Sequence, residues 1–225
     1  HAFANAGAKV TILGRTKESL QAQGLSYQVC DVTNLSAVKA AFEAARAEHG
    51  PISTVVANAG ASDSVPFAKM TTESLSNMLD VNIVGVFNCW QAALPDMKVA
   101  GRGQMIVIAS TAGLKGYPYV AGYCAAKHGV VGLTRALSVE LAPLGITVNA
   151  ICPGFTETPM LDRSIKNISA MTGMSAEDAV KSLQRSNPQK RFIQVDEIAG
   201  TALWLCSESA RSVNGHTLNL NGGEL

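Results

Sequence analysis

Residues 105–127 read MIVIASTAGLKGYPYVAGYCAAK, and three local patterns follow one another within them. Met105–Ala109 is an apolar run with the length and β-branched content of a strand buried on both faces. Gly113, Gly116 and Pro118 mark a loop. From Gly122 to Leu141 the apolar spacing is that of a helix. A buried strand followed by a helix is the repeating unit of an α/β fold, where sites form at the carboxyl ends of the strands. Ser110 stands at such an end, and Tyr123 and Lys127, four apart on the helix, share one of its faces.

Those three side chains define a chemistry. A free tyrosine has a pKa near ~10 and is a poor base at neutral pH. A neighbouring lysine ammonium stabilises the phenolate, so the expectation is a Tyr123 pKa moved down by Lys127. Such a phenol can exchange a proton with an alcohol oxygen while Ser110 holds that oxygen by a second hydrogen bond. No side chain delivers the hydride that the carbon would need, so a nicotinamide cofactor is implied.

Outward from this stretch the chain alternates strand and helix signals. His1–Gly7 reads as the end of a helix capped by Gly7. Strands are expected at Lys9–Leu13, Leu25–Cys30, Ile52–Ala57, Gly145–Cys152 and Thr217–Leu220. Helices are expected at Thr16–Ala22, Leu35–His49, Thr71–Leu94 and Val195–Cys206. The long helix opens on Thr-Thr-Glu and carries Leu75, Met78, Leu79, Ile83, Val86, Phe87 and Trp90 as an apolar stripe, with Asn82 beside it. The reading is a doubly wound parallel sheet of the Rossmann kind in a single domain spanning 1–225. Residues 159–191 form an inserted segment with a helix at Ala176–Gln184. Connections of this length are usually functional, and Met160, Leu161, Ile165, Ile168, Met171 and Met174 suit a lid over a variable apolar substrate.

Composition narrows the class. At 225 residues, 47% hydrophobic and 16% charged, the chain can bury a large single core. A net charge of +1 without a basic stripe makes nucleic acid an unexpected partner. No apolar run reaches membrane-spanning length and no secretion signal is visible, so a cytoplasmic protein is expected. Five scattered cysteines, Cys30, Cys89, Cys124, Cys152 and Cys206, lack CxxC spacing and fit neither a disulfide framework nor a metal site.

Six motifs in order give the chain a resemblance to the short-chain dehydrogenase/reductase family: CDVT at 30–33, NAG at 58–60, Asn82, Ser110, YxxxK at 123–127 and PGxxxT at 153–158. Ser110 lies thirteen residues before Tyr123, and Asn82 twenty-eight before Ser110. The resemblance implies that Tyr123 is the general acid/base and that Lys127 tunes it and binds the nicotinamide ribose. It also implies that Ser110 positions the oxygen and that Asn82 holds a water linking Lys127 to solvent. Asp31 and Val32 would meet the adenine, Asn58, Ala59 and Gly60 the ribose side of the cofactor, and Pro153, Gly154, Thr156 and Thr158 the nicotinamide. In this family a first strand and a glycine-rich turn precede the opening helix. Both are absent from residues 1–225, and a natural N-terminal extension of about 20 to 25 residues is expected to supply them.

Arg15, at the end of the second strand of such a sheet, suits a ribose 2′-phosphate where a carboxylate would suit a 2′-hydroxyl, so NADP(H) is favoured over NAD(H). The stretch Gly129–Pro159 and the long lid resemble reductases of 3-oxoacyl thioesters and polyketide ketones most. The expected substrate is therefore a small carbonyl compound or secondary alcohol, with an acyl thioester foremost, and the resemblance implies a homotetramer or homodimer. The rivals are an NAD-dependent dehydrogenase of a hydroxysteroid, sugar alcohol or hydroxyacyl compound, and a dinucleotide-binding regulator without turnover.

Overall fold

The computed structural model describes residues 1–225 as six parallel strands with helices on both faces. The strands form two ladders. β1 (Thr11–Gly14) pairs with β2 (Ser26–Val29), and β3 (Thr54–Ala57), β4 (Gly103–Ile108), β5 (Ile146–Pro153) and β6 (Thr217–Leu220) pair in that order. The apolar runs seen in the sequence are the inner strands: in β5 every residue but Thr147 is buried, whereas no residue of β1 or β2 is.

Alternation along β4 sorts its side chains between two cores, as the period of a strand requires. Met105 and Val107 point into the larger one. There they meet Val38 and Phe42 of α3 (Leu35–His49), Trp90 and Met97 of α5 (Gly85–Ala100), and Val130 of α6 (Ala121–Leu141). Ile106 turns to the opposite face, against Ala202 and Leu205 of α9 (Val195–Leu205), with Phe3 of the opening helix α1 (Ala2–Asn5) beside them. The short α2 (Lys17–Gln21) follows β1 and buries Leu20. Ala57 pairs with Val107 and Ile108 with Ile151, so the residues after β3, β4 and β5 emerge together at one edge. Asn58, Ser110 and Gly154 follow those strands there.

Two elements depart from the sequence reading. The single helix expected over Thr71–Leu94 is divided into α4 (Thr72–Leu79) and α5 by one π-helical turn, Asp80–Val84. The π turn carries Asn82 into a fully buried position, where its amide donates to Met78 O and Ala61 O, both at 2.9 Å. The helix also continues past Pro95 to Ala100 although proline removes a backbone donor. Tertiary contacts hold that last stretch: Asp96 takes Arg46 Nε at 2.7 Å and Ile52 N at 3.0 Å, and Met97 is fully buried. In 159–191 the expected helix Ala176–Gln184 (α8) is joined by a second, α7 (Pro159–Thr172), with proline at its first position.

Candidate active site

Ser110 leaves β4 with extended backbone. Its hydroxyl accepts from Ala112 N at 3.1 Å and opens a short 3-10 turn, Thr111–Gly113. That turn lies against α6 so closely that a β-carbon on Gly113 would stand 2.7 Å from the Lys127 carbonyl oxygen. Only glycine fits there without displacing the helix that carries Tyr123 and Lys127.

Lys127 is 4% exposed, and its Nζ donates to Ile108 O at 2.9 Å. The ammonium sits 5.6 Å from the centre of the Tyr123 ring. Burial lowers the Lys127 pKa to about 8, opposed weakly by the Cys152 thiol. Burial also dominates at Tyr123, and here the sequence expectation is corrected. The phenol is pushed above its ordinary range, the Ser110 hydroxyl pulls it down by less, and the Cys124 and Cys152 thiols add to the rise. The desolvation of Tyr123 outweighs what acts in the other direction, so the phenol is not acidified as expected.

Asn82 Oδ1 is buried and has no hydrogen-bond partner, although its Nδ2 is satisfied. A β-carbon placed on Gly60 would lie 3.0 Å from that oxygen and 3.7 Å from Lys127 Nζ. Asn82 and Lys127 thus face one small space over Gly60, kept open because glycine has no side chain. Ser110, Tyr123, Lys127 and Asn82 are brought together.

Residues named for the dinucleotide lie along the same edge. Asn58, Ala59 and Gly60 are exposed beyond β3. Arg15 is exposed beyond β1, and its charge contributes to the lowered pKa of Asp31. The larger causes there are the Thr33 backbone N–H and the Thr33 hydroxyl, which reach Asp31 Oδ1 at 2.9 and 2.8 Å. One carboxylate oxygen of Asp31 thus builds its own turn, which leaves the other for a ligand. The Val32 carbonyl accepts from Asn88 Nδ2 at 2.9 Å. Asn88, buried on α5 six residues after Asn82, was not singled out in the sequence; an amide within an apolar stripe was its one visible signal.

Pro153 is buried and Gly154 packs against Asn221. Thr156 donates to Gly154 O at 3.0 Å and Thr158 to Thr156 O at 3.2 Å. With their protons committed, both hydroxyl oxygens remain acceptors, which matches the NH2 of a carboxamide. The orphaned Asn82 oxygen, the opening over Gly60 and these threonines fit a nicotinamide riboside. Beside them a cleft of about 400 Å³ runs along the foot of α7, lined by Thr158, Leu161, Ile165 and Phe192. No helix is long and apolar enough to cross a membrane.

A hydroxyl, a phenol and a buried ammonium gathered at the carboxyl edge of a parallel sheet define a carbonyl/alcohol oxidoreductase site. The family described as enoyl-(acyl carrier protein) reductase matches residues 1–224, and the chain belongs to the short-chain, NAD(P)(H)-dependent dehydrogenases/reductases. A Streptomyces virginiae protein named as a ketoacyl reductase of the monensin polyketide synthase is 39% identical over 215 residues, 95% of this chain and 81% of that one. An acetoacetyl-CoA reductase of an Acinetobacter species is 35% identical over 214 residues, 93% of this chain and 82% of its own. The crystal structure of a tryptophan variant of actinorhodin polyketide ketoreductase with NADPH superposes with a TM-score of 0.94 at 33% identity, covering 99% of this chain and 90% of the other.

Proposed function

We propose that the protein reduces the ketone of a 3-oxoacyl thioester-like substrate with NADPH. The observation that carries this reading is the convergence of Ser110, Tyr123, Lys127 and Asn82 around a phenol that burial keeps protonated. The similarity to ketoacyl and acetoacetyl-CoA reductases supports the substrate class, and Arg15 beyond β1 supports the phosphorylated cofactor.

When bound, the cofactor supplies the hydride. Ser110 holds the ketone oxygen by a hydrogen bond, and Tyr123 donates its proton to that oxygen as charge develops. Lys127 places a positive charge beneath the ring and binds the nicotinamide ribose. Asn82 Oδ1 holds a water over Gly60 through which the proton lost by Tyr123 is replaced. Thr156 and Thr158 orient the carboxamide, Asp31 and Val32 border the adenine, and 159–191 act as the lid.

Exposed Val84 at the end of the π turn and Phe87 on α5, with Val139 on α6, support a homodimer or homotetramer built on this face of the two helices. Net charge near zero and the lack of a membrane-crossing helix are compatible with a cytoplasmic place of work. The test is a panel of 3-oxoacyl thioesters, hydroxysteroids and sugar alcohols run with NADPH and NADH in parallel. Fastest turnover with a 3-oxoacyl thioester and NADPH supports the reading. NAD-linked oxidation of secondary alcohols alone overturns it, and cofactor binding without any turnover leaves the regulator.

A further inference from the structure

Glu224, four residues beyond β6, has a side chain only 3% exposed. Its Oε1 accepts from Lys115 Nζ at 2.7 Å and from the Tyr117 hydroxyl at 2.7 Å. With its single proton committed to that carboxylate, Tyr117 accepts from Thr111 Oγ1 at 2.8 Å. Lys115 also lies over the Tyr117 ring, 4.9 Å from its centre, and the ring meets Phe155 edge-on at 6.3 Å. Burial and the Glu224 hydrogen bond both raise the Tyr117 pKa, so the phenol stays a donor.

Both side chains that satisfy Glu224 come from the loop that begins at Ser110. A buried carboxylate is costly unless charged or hydrogen-bonding partners reach it. Lys115 and Tyr117 are therefore held at the tail, and Thr111 with them. The tail is fixed in turn, because Asn221 Oδ1 takes the backbone N–H groups of Gly223 at 3.0 Å and Glu224 at 3.2 Å. A β-carbon on Gly154 would sit 3.5 Å from Glu224 Oε2, which places this carboxylate beside the turn that follows β5. On its other side the loop rests on α6 through Gly113. Ser110 is the residue immediately before this doubly supported turn.

We infer that Glu224 is a positioning residue for the reaction: through Tyr117 and Thr111 it sets the place of the Ser110 hydroxyl relative to Tyr123. This rests on the proposed role of Ser110 in holding the ketone oxygen. Tyr117 and Lys115 are its intermediaries, and none of the three takes part in proton transfer to substrate.

The test compares Glu224→Gln, Glu224→Asp, Tyr117→Phe and the double variant Glu224→Gln/Tyr117→Phe with the parent and with Ser110→Ala. Rates are read with an acetoacetyl thioester and NADPH, each protein 10 °C below its own melting midpoint. Loss of alignment at a reacting centre lowers kcat, and the expected fall is about tenfold in Glu224→Gln and Tyr117→Phe, with KM for NADPH within about twofold of the parent. The double variant should be no slower than the worse single one, because both changes break the same tie. Glu224→Asp, which keeps the charge, should recover part of the rate. Tyr117→Phe deletes one oxygen from a half-buried site, so it keeps the test open if Glu224→Gln fails to fold. Parental kcat in Tyr117→Phe, or losses that add in the double variant, would overturn the positioning role while Ser110→Ala is inactive. Should Ser110→Ala turn over like the parent, the proposed function fails first and this role with it.

Discussion

Lys127 Nζ donates to the carbonyl oxygen of Ile108 and sits 5.6 Å from the centre of the Tyr123 ring, so in this buried site it faces the phenol through space and not by a hydrogen bond. Low dielectric cuts both ways there. It penalises the phenolate, keeping Tyr123 protonated and ready to donate, and it weakens the lysine's hold on its own charge. The arrangement favours the reducing direction, in which the phenol begins protonated.

The pKa of Lys127, about 8 against an ordinary 10.5, makes two pH effects. The ammonium is lost as pH rises through about 8, so kcat/KM for ketone reduction should decline above that pH. Between 8 and 10.5 the unfolded chain's Lys127 holds more proton than the folded chain's, so the contribution of Lys127 to stability should rise with pH across that window, read as the difference between parent and variant. At pH 7 Lys127→Met should abolish turnover yet cost little stability, or add about 1–3 kcal/mol, because a buried charge is removed. Urea unfolding of both proteins at pH 7 and pH 10 reads this; a variant much less stable than the parent at pH 7 would contradict it.

Gly113→Ala should cut kcat by at least about tenfold and cost about 1–3 kcal/mol, since its new carbon meets the backbone of Lys127. Gly116→Ala, in the same loop with nothing within 4 Å of the added carbon, should leave rate and stability near those of the parent. Steady-state kinetics and thermal melts of the pair separate this close approach from a general intolerance of the loop.

Replacing Arg15 by leucine should raise KM for NADPH by about tenfold and leave KM for NADH nearly unchanged, because a guanidinium pairs with a phosphate and not with a hydroxyl. Equal changes for the two cofactors would place the 2′-phosphate elsewhere.

Arg191, at the end of the segment 159–191, makes a bidentate pair with Glu197 of α9, at 2.6 and 2.8 Å. The Arg191 hydrogen bond and the Gln194 backbone N–H hold the Glu197 carboxyl at about 2, below its ordinary 4.5. The contribution is present above about pH 4.5 and is lost as pH falls toward 2. Because the pair is solvent-exposed, Glu197→Gln should cost no more than about 1 kcal/mol globally. Its clearer effect should be local, with faster proteolytic cleavage between 159 and 191 at neutral pH.

Elements with strong local signals were legible from the residues. Asn34 accepts from Ala37 N, Ser175 accepts from Asp178 N, and the helices they cap, Leu35–His49 and Ala176–Gln184, have the bounds their sequences predict. The spacing of Tyr123 and Lys127 also carried through, because one helical turn is a local property. What packing decides stayed hidden. The π turn at Asp80–Val84 carries Asn82 to the carbonyl of Ala61, on a separate loop, and α5 passes Pro95 because Asp96 and Met97 are held by distant partners. The sign of the Tyr123 shift followed from how deeply the ring is covered. Glu224 and Tyr117 are 107 residues apart, and nothing near either one announces the other.

The spread of the residues proposed for the dinucleotide bears on what ligand saturation does to the whole molecule. Arg15, Asp31 and Val32 follow β1 and β2, whereas Asn58, Lys127 and Thr156 are carried by the end of β3, by α6 and by the turn after β5. A dinucleotide reaching from one group to the other would link these elements, and its affinity would be felt as cohesion. The strongest slowing of amide exchange on saturation should then appear in the turns that carry them, around Arg15, Asp31–Thr33 and Asn58–Gly60.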